Sequence, residues 1–439
     1  MKYMYVNTAA EVINQHFYAP VIIYVSDENV VLIYDWNLSD GTDLIVERDQ
    51  NNNLVINEYI EYEGLKFTST GNSTVALTKS DSSAPTVDLK YSLNEGRTWT
   101  QWDLSAISLI DGQTVCFKGL NITFGGSDAY NRFVMTGSIA ASGNIMSIID
   151  DGACNTTTIQ NNYCFRGLFN ACTVLTSAPA LPATTLADGC YQEMFSTCTS
   201  LTTAPELPAT TLADTCYYQM FYNCTSLTTA PELPATTLAR MCYGSMFSNC
   251  TALTTAHTLP ATTLVDWCYA NMFRECTSLT TAPALPATTL ADFCYSGMFV
   301  ECTSLTTAPA LPATTLAKAC YNNMFGGCSS LTTAPTLPAT TLIEGCYEYM
   351  FSNCTALTTA PTLPATTLVV ACYGIMFNGC TNLNYIKCLA TNIRASNCTN
   401  NWVDSVATTG TFVKAASMTG WNTGTSGIPE GWTVETAAA

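Results

Sequence analysis

The stretch that decides the fold is Leu181-Pro182-Ala183-Thr184-Thr185-Leu186, three variable residues, Cys190-Tyr191, two variable, Met194-Phe195, two variable, then Cys198-Thr199-Ser200-Leu201-Thr202-Thr203-Ala204-Pro205. The same arrangement returns every 26 residues, most visibly in cysteine pairs eight apart at 164/172, 190/198, 216/224, 242/250, 268/276, 294/302, 320/328, 346/354 and 372/380. A fixed period of this size means stacked coils, each burying its apolar side chains against its neighbours. Nine pairs predict nine coils. Cys190, Tyr191, Met194, Phe195, Cys198 and Leu201 form the expected core of one unit, and no coil can cover them alone.

Within the unit, Cys190, Tyr191, Met194, Phe195 and Cys198 fall at i, i+1, i+4, i+5 and i+8, which predicts an α-helix with that stripe inward. Thr185 followed by Asp188 has the spacing of a capping box. The variable residues then face water, and Leu201–Leu207, cut by Pro205, has room for a short strand only. Together these readings predict a mixed β/α solenoid. A disulfide cannot join i and i+8 on a helix, since the rise of ~12 Å exceeds its reach. Metal sites want closely spaced cysteines, which are absent. The thiols read as buried core residues, with no metal and no cofactor; cysteines in the same slot of adjacent coils come near enough for some disulfides, which stay an alternative to free thiols.

Outward from the array the character changes. Residues 1–150 carry short strand-like runs at Val21–Val25, Val30–Tyr34, Leu54–Ile56, Thr74–Leu77, Val87–Tyr91 and Val115–Phe117, divided by Asn-, Asp-, Gly- and Ser-rich turns. They predict a β-rich N-terminal region. The chain divides into a small docking unit (1–62), a β-sandwich-like domain (63–150), the solenoid (151–385) and a C-terminal cap (386–439).

The 439 residues hold 33 Asp+Glu against 15 Lys+Arg, a formal charge of −18, yet only 11% are charged. Such acidity disfavours nucleic acid, because no basic patch exists to displace counterions from phosphates. No apolar run is long enough to cross a bilayer as a helix, and Met1–Tyr24 has no secretory-signal pattern. Two histidines, His16 and His257, leave little for acid–base chemistry, and the array's few acids fall on its variable face. No catalytic residue is assigned, and the chain reads as a non-enzyme.

The recurring Phe-x-x-Cys-x-x-Leu at Phe195, Phe221, Phe247, Phe273, Phe299, Phe325, Phe351 and Phe377 resembles the BspA-like leucine-rich repeats. Leu-Pro-Ala-Thr-Thr-Leu replaces the family's more common Ile-Pro-x-x-Val, and the Asn ladder of better-known leucine-rich repeats is missing. The resemblance implies adhesion or recognition rather than chemistry. The β-rich front, the array and the Gly427-Ile-Pro-Glu-Gly-Trp432 ending are together similar to proteins of gut Bacteroidales and their tailed, crAss-like phages. That likeness implies a virion-surface or fibre protein, with a bacterial cell-surface adhesin as the alternative. Its partners would be other virion proteins at the N-terminal region, a host surface protein or glycan, and a second copy of itself. Ser92-Leu-Asn-Glu-Gly96-Arg-Thr98-Trp99 resembles the Asp-box hairpin of sialidase-type propellers, with Asn94 in place of the Asp, and reads as a structural turn.

One slot of the array stands out. Position 189 of the unit holds Gly, Thr or Ala in most coils but becomes Met241, Trp267 and Phe293 in three consecutive ones, beside Arg240, Asp266 and Asp292. Contiguous exposed aromatics mark contact surfaces. These six residues are the candidate binding site; the alternative is that slot 189 sits at the helix flank, half buried, with a packing role only.

Overall fold

The computed structural model describes residues 2–6, 12, 16–18, 21–25, 30–33, 43–48, 52–58 and 62–438. They form two compact units, Met1–Tyr62 and Glu63–Ala439. In the first, β1 (Lys2–Val6), β3 (Val21–Val25) and β4 (Val30–Ile33) make one sheet, with β1 parallel to β3. A second, antiparallel sheet orders β2 (His16–Tyr18), β5 (Asp43–Arg48) and β6 (Leu54–Glu58). Tyr34, expected to end a strand, lies outside the described residues.

The second unit opens on a single seven-stranded sheet. Its central pair is β7 (Lys66–Lys79) and β12 (Asn131–Ser142), antiparallel over almost their whole length. Around them lie β8 (Lys90–Ser92), β9 (Thr100–Gln101), β10 (Ile107–Leu109), β11 (Thr114–Lys118) and β13 (Leu175–Ser177). The Asn94 turn joins β8 to β9: its carboxamide accepts the Thr98 N–H at 3.0 Å, and Ser92 Oγ accepts the Gly96 N–H at 2.9 Å. The region expected as a β-sandwich is thus one sheet, not two. Its apolar face, with Phe67, Phe117 and Phe133, is covered by the first coil through Phe169, whose ring lies 5.3 Å from that of Phe133. Parallel pairing of β13 with β12 carries the sheet directly into the array. One core runs from Leu65 to Trp432, without a break where a separate domain was expected to end.

The array buries what its period says it should. Cys190, Tyr191, Met194, Phe195, Cys198 and Leu201 are fully covered, as are Phe221 and Phe247. Equivalent rings stack on one another, Phe195 on Phe221 at 5.6 Å with planes 3° apart and Tyr191 on Tyr217 at 5.9 Å. All 22 cysteines are free thiols.

The helix does not form; among the described residues there is no α-helix at all. Residues 187–198 instead make a ribbon of successive turns. Even-numbered amides bond three residues back: Cys190 to Ala187, Gln192 to Gly189, Met194 to Tyr191. Odd-numbered amides reach into the next coil, Gly189 to Asp214, Tyr191 to Cys216, Glu193 to Tyr218, Phe195 to Met220 and Thr197 to Tyr222, at 2.7–3.0 Å. Every fourth residue has a positive φ: Gly189 (60°), Glu193 (56°) and Thr197 (62°), and again Trp267, Asn271 and Glu275. An α-helix would spend these amides within the segment and leave the coils joined by side chains only. The ribbon joins them by backbone.

The rest of each coil is more lightly tied, by isolated parallel bridges such as Thr211 to Thr237 and Thr229 to Thr255. Thr254 and Thr332 hydroxyls donate to the preceding coil's Thr228 and Thr306 carbonyls at 3.2 Å. The turn ribbon also recurs once beyond the nine expected coils, at Asn397, Asn401 and Ser405, all with positive φ. Trp402 stacks on Tyr373 there (6.3 Å). The residues expected as a cap therefore continue the coil, then close it with a parallel sheet of β14 (Tyr385–Cys388), β15 (Thr411–Lys414) and β16 (Thr433–Thr436).

Candidate functional site

The six candidate residues lie on the outer edge of the ribbon, in consecutive coils. Slot 189 is the first of the three positive-φ positions, so Met241 (53°), Trp267 (61°) and Phe293 (57°) all hold a left-handed backbone. Gly189 and Gly345 meet the same demand without a Cβ; a bulky residue there costs about 1–2 kcal/mol. Part of that cost is recovered, because the Trp267 and Phe293 rings stack at 4.1 Å with planes 10° apart, worth about 0.5–1.5 kcal/mol. Their backbones are pinned by the ribbon: the Trp267 N–H donates to the Asp292 carbonyl at 3.0 Å and the Phe293 N–H to the Lys318 carbonyl at 2.9 Å.

All three apolar side chains are half-buried rather than exposed, since neighbouring coils cover part of each. The stacked Trp267 and Phe293 rings make an aromatic plate two coils long. Arg240, Asp266 and Asp292 beside it are exposed.

The acids have a structural task too. The Asp214 carboxylate accepts the Arg240 N–H at 2.9 Å, Asp266 that of Asp292 at 3.1 Å, and Asp292 that of Lys318 at 2.9 Å. Each acid caps the same slot of the next coil instead of a helix N-terminus. One oxygen of each carboxylate does this, and Asp188 makes the same bond to the Asp214 N–H outside the candidate patch. Lys318 pairs with Glu344 at 3.1 Å and extends the charged margin.

Inside the array the thiols are buried and tied to the backbone. The Cys198, Cys224, Cys250 and Cys276 thiols each donate to a phenylalanine carbonyl of the preceding coil, Cys250 to Phe221 at 3.1 Å. Burial pushes Cys164, Cys242 and Cys302 up to about 12, and Cys198 and Cys216 well above the ordinary thiol range. A nucleophilic cysteine needs the opposite shift. Among the described residues no three His, Cys, Asp or Glu side chains are grouped to hold a metal ion, and no helix is long and apolar enough to cross a membrane.

A β-flanked stack of 26-residue coils, with Leu, Phe and Cys inward, is a leucine-rich-repeat architecture. The chain matches the model of the BspA type leucine-rich repeat region, six copies, over residues 189–306 and 295–412, more than half its length, and it belongs to that family. A crystal structure of a leucine-rich repeat protein from Eubacterium ventriosum ATCC 27560 is similar at 13% identity and a TM-score of 0.28, covering 66% of this chain and 92% of that one. No curated protein matches the chain.

Proposed function

We propose that this protein is a non-catalytic, adhesin-type recognition protein, in which the repeat array is a rigid rod presenting the Met241–Trp267–Phe293 plate. The observation that carries the reading is the occupancy of slot 189. Large apolar residues stand in three consecutive coils at a positive-φ position that Gly189, Thr215, Ala319, Gly345 and Ala371 fill elsewhere, and they stay half-exposed. The mixed charges of Arg240, Asp266 and Asp292 supply polar contacts around an apolar centre, the usual anatomy of a recognition patch.

The target is a host surface protein or glycan. Of the two settings that the sequence resemblance implies, the reading takes the virion surface, with residues 1–62 docking to other particle proteins; a bacterial cell surface is the alternative. The test is binding of the purified chain to host cells and to a glycan array, with Trp267→Ala and Phe293→Gly compared with the unsubstituted chain. The reading expects at least a tenfold loss of binding in both variants. Unchanged binding by both would overturn it. Antibody labelling of intact phage particles, or of intact bacteria, separates the two settings.

A further inference from the structure

A second surface lies on the same ribbon, farther along the rod than the aromatic plate. There Ile343, Tyr349 and Val370 are 38%, 38% and 46% exposed, in consecutive coils, and Ile375 beside them is half-buried. Tyr349 and Ile375 share a slot one period apart, which Asn271, Gly297, Asn323 and Asn401 fill in other coils. Val370 stands where Asp266 and Asp292 each cap the coil that follows. Four large apolar side chains grouped on one outer face mark a contact surface.

A carboxylate lies among them. Glu348 precedes Tyr349 and leans over the next coil: its Oε1 is 3.4 Å from the point a Cβ on Gly374 would occupy, and its Oε2 is 3.7 Å from the same point on Gly345. Gly374 comes just before Ile375 and four residues after Val370, which puts Oε1 within the apolar group. Both neighbours are glycines, so neither has a side chain to screen the carboxylate. Oε2 accepts the Asn322 amide at 3.2 Å, whereas no donor among the described residues reaches Oε1, which keeps contact with water.

Glu348 has no cation. Burial pushes its carboxyl up, and Glu344 adds to the shift. Lys318, the cation at hand, is engaged with Glu344 at 3.1 Å. A half-desolvated carboxylate with a free oxygen is complemented by a cationic donor brought from outside. The backbone beneath is already set: the Tyr349 N–H donates to the Gly374 carbonyl at 2.9 Å and the Ile375 N–H to the Asn400 carbonyl at 2.8 Å.

We infer that this face docks an arginine-bearing apolar segment of a partner protein, with the guanidinium on Glu348 Oε1 and Tyr349 and the flanking apolar side chains on Ile343, Val370 and Ile375. Arginine fits better than lysine, because its planar, weakly hydrated head both bonds a carboxylate and stacks on an aromatic face. The chain's net charge of −18 favours the encounter with a basic partner.

The experiment uses the full-length chain and two probes, the peptide Ac-Gly-Leu-Arg-Leu-Gly-amide and the same peptide with uncharged citrulline in place of its arginine, titrated calorimetrically at low salt. The arginine peptide should bind at least tenfold more tightly. Glu348→Gln should abolish that preference while leaving the citrulline peptide unchanged. The double variant Val370→Ser, Ile375→Gly should weaken both peptides at least threefold. It keeps the fold, since Ser396 fills the Val370 slot in the following coil and glycine suits the φ of 57° at Ile375. Equal binding of the two peptides, a preference that survives Glu348→Gln, or binding untouched by the double variant would each overturn the inference. So would n-propylguanidinium competing as well as the arginine peptide, which would mark a small-cation site. Self-association of the chain alone, read by sedimentation and lost in the double variant, would make the occupant a second copy and overturn it too. Failure here would leave the Trp267 reading intact, since no residue is shared.

Discussion

The sheet and the array pack their aromatic rings in different ways. In the sheet, Phe67 meets Phe133 edge-on at 89° and Phe117 at 51°, and Trp102 tilts 46° from Phe117. In the array, Phe221, Phe247 and Phe273 lie parallel within 2–8° at 5.6 Å. Non-identical neighbours are free to find the edge-to-face geometry that ring quadrupoles favour. Identical residues repeated at a coil spacing of ~4.8 Å are carried there by translation and must stay parallel, so they reach the offset stack instead. The sheet core is therefore a local solution and the array core a propagated one. Damage to them should spread differently.

The largest difference is expected from Phe247→Ala set against Phe117→Ala. Each deletes a buried ring and costs about 3–5 kcal/mol. In the array the loss falls on two nearest-neighbour interfaces, and solenoid stability is the sum of such interfaces. Urea unfolding of Phe247→Ala should split into two transitions, whereas Phe117→Ala should unfold the sheet early and leave the array's midpoint in place. A single shared transition in both would mean that sheet and array behave as one cooperative block.

Alkali comes next. Burial raises the array's thiols and the hydroxyls of Tyr191, Tyr217 and Tyr243 above their unfolded values, so the folded chain holds protons that the unfolded chain releases. Their contribution is complete below the ordinary thiol range, near pH 8.5, and is lost as pH rises toward the folded values. Each titrating group removes about 1.4 kcal/mol per pH unit in that window. The denaturation midpoint should be flat from pH 7 to 8 and fall steeply above pH ~9.5. Cys116, also buried and pushed up to about 12, is the sheet's single such thiol, so the fall should belong to the array.

The smallest effect is the sharpest in sign. Asn271 holds a φ of 54° in the ribbon. Asn271→Gly should be neutral or slightly stabilising, and Asn271→Val should cost about 1–2 kcal/mol. A helix would reverse the order, since glycine is a poorer helix former than valine. Calorimetric melting of the two variants decides it.

Much of this was legible in the sequence, and the reason is repetition. Phe195, Phe221 and Phe247 stand 26 apart, so their stacking follows from counting. The ribbon was not legible as a ribbon. Over the nine residues from Cys190 to Cys198, a period of four and one of 3.6 bury the same positions, and the helical reading won by default. The missed signal lies on the outer face: Gly189, Asn223, Asn249, Asn271, Gly297, Asn323, Gly327, Asn353 and Gly379 mark the positive-φ slots four apart. Glycine and asparagine at that spacing disfavour a helix and suit turns. Register placed Trp267 beside Phe293, but their partial burial comes from the stack itself.

The account stands on coils joined by a backbone ribbon. Far-ultraviolet circular dichroism of the full-length chain tests this most directly. It predicts a spectrum of strand and turn without the paired helical minima. A helical band large enough for one segment per coil would contradict the ribbon and restore the helix.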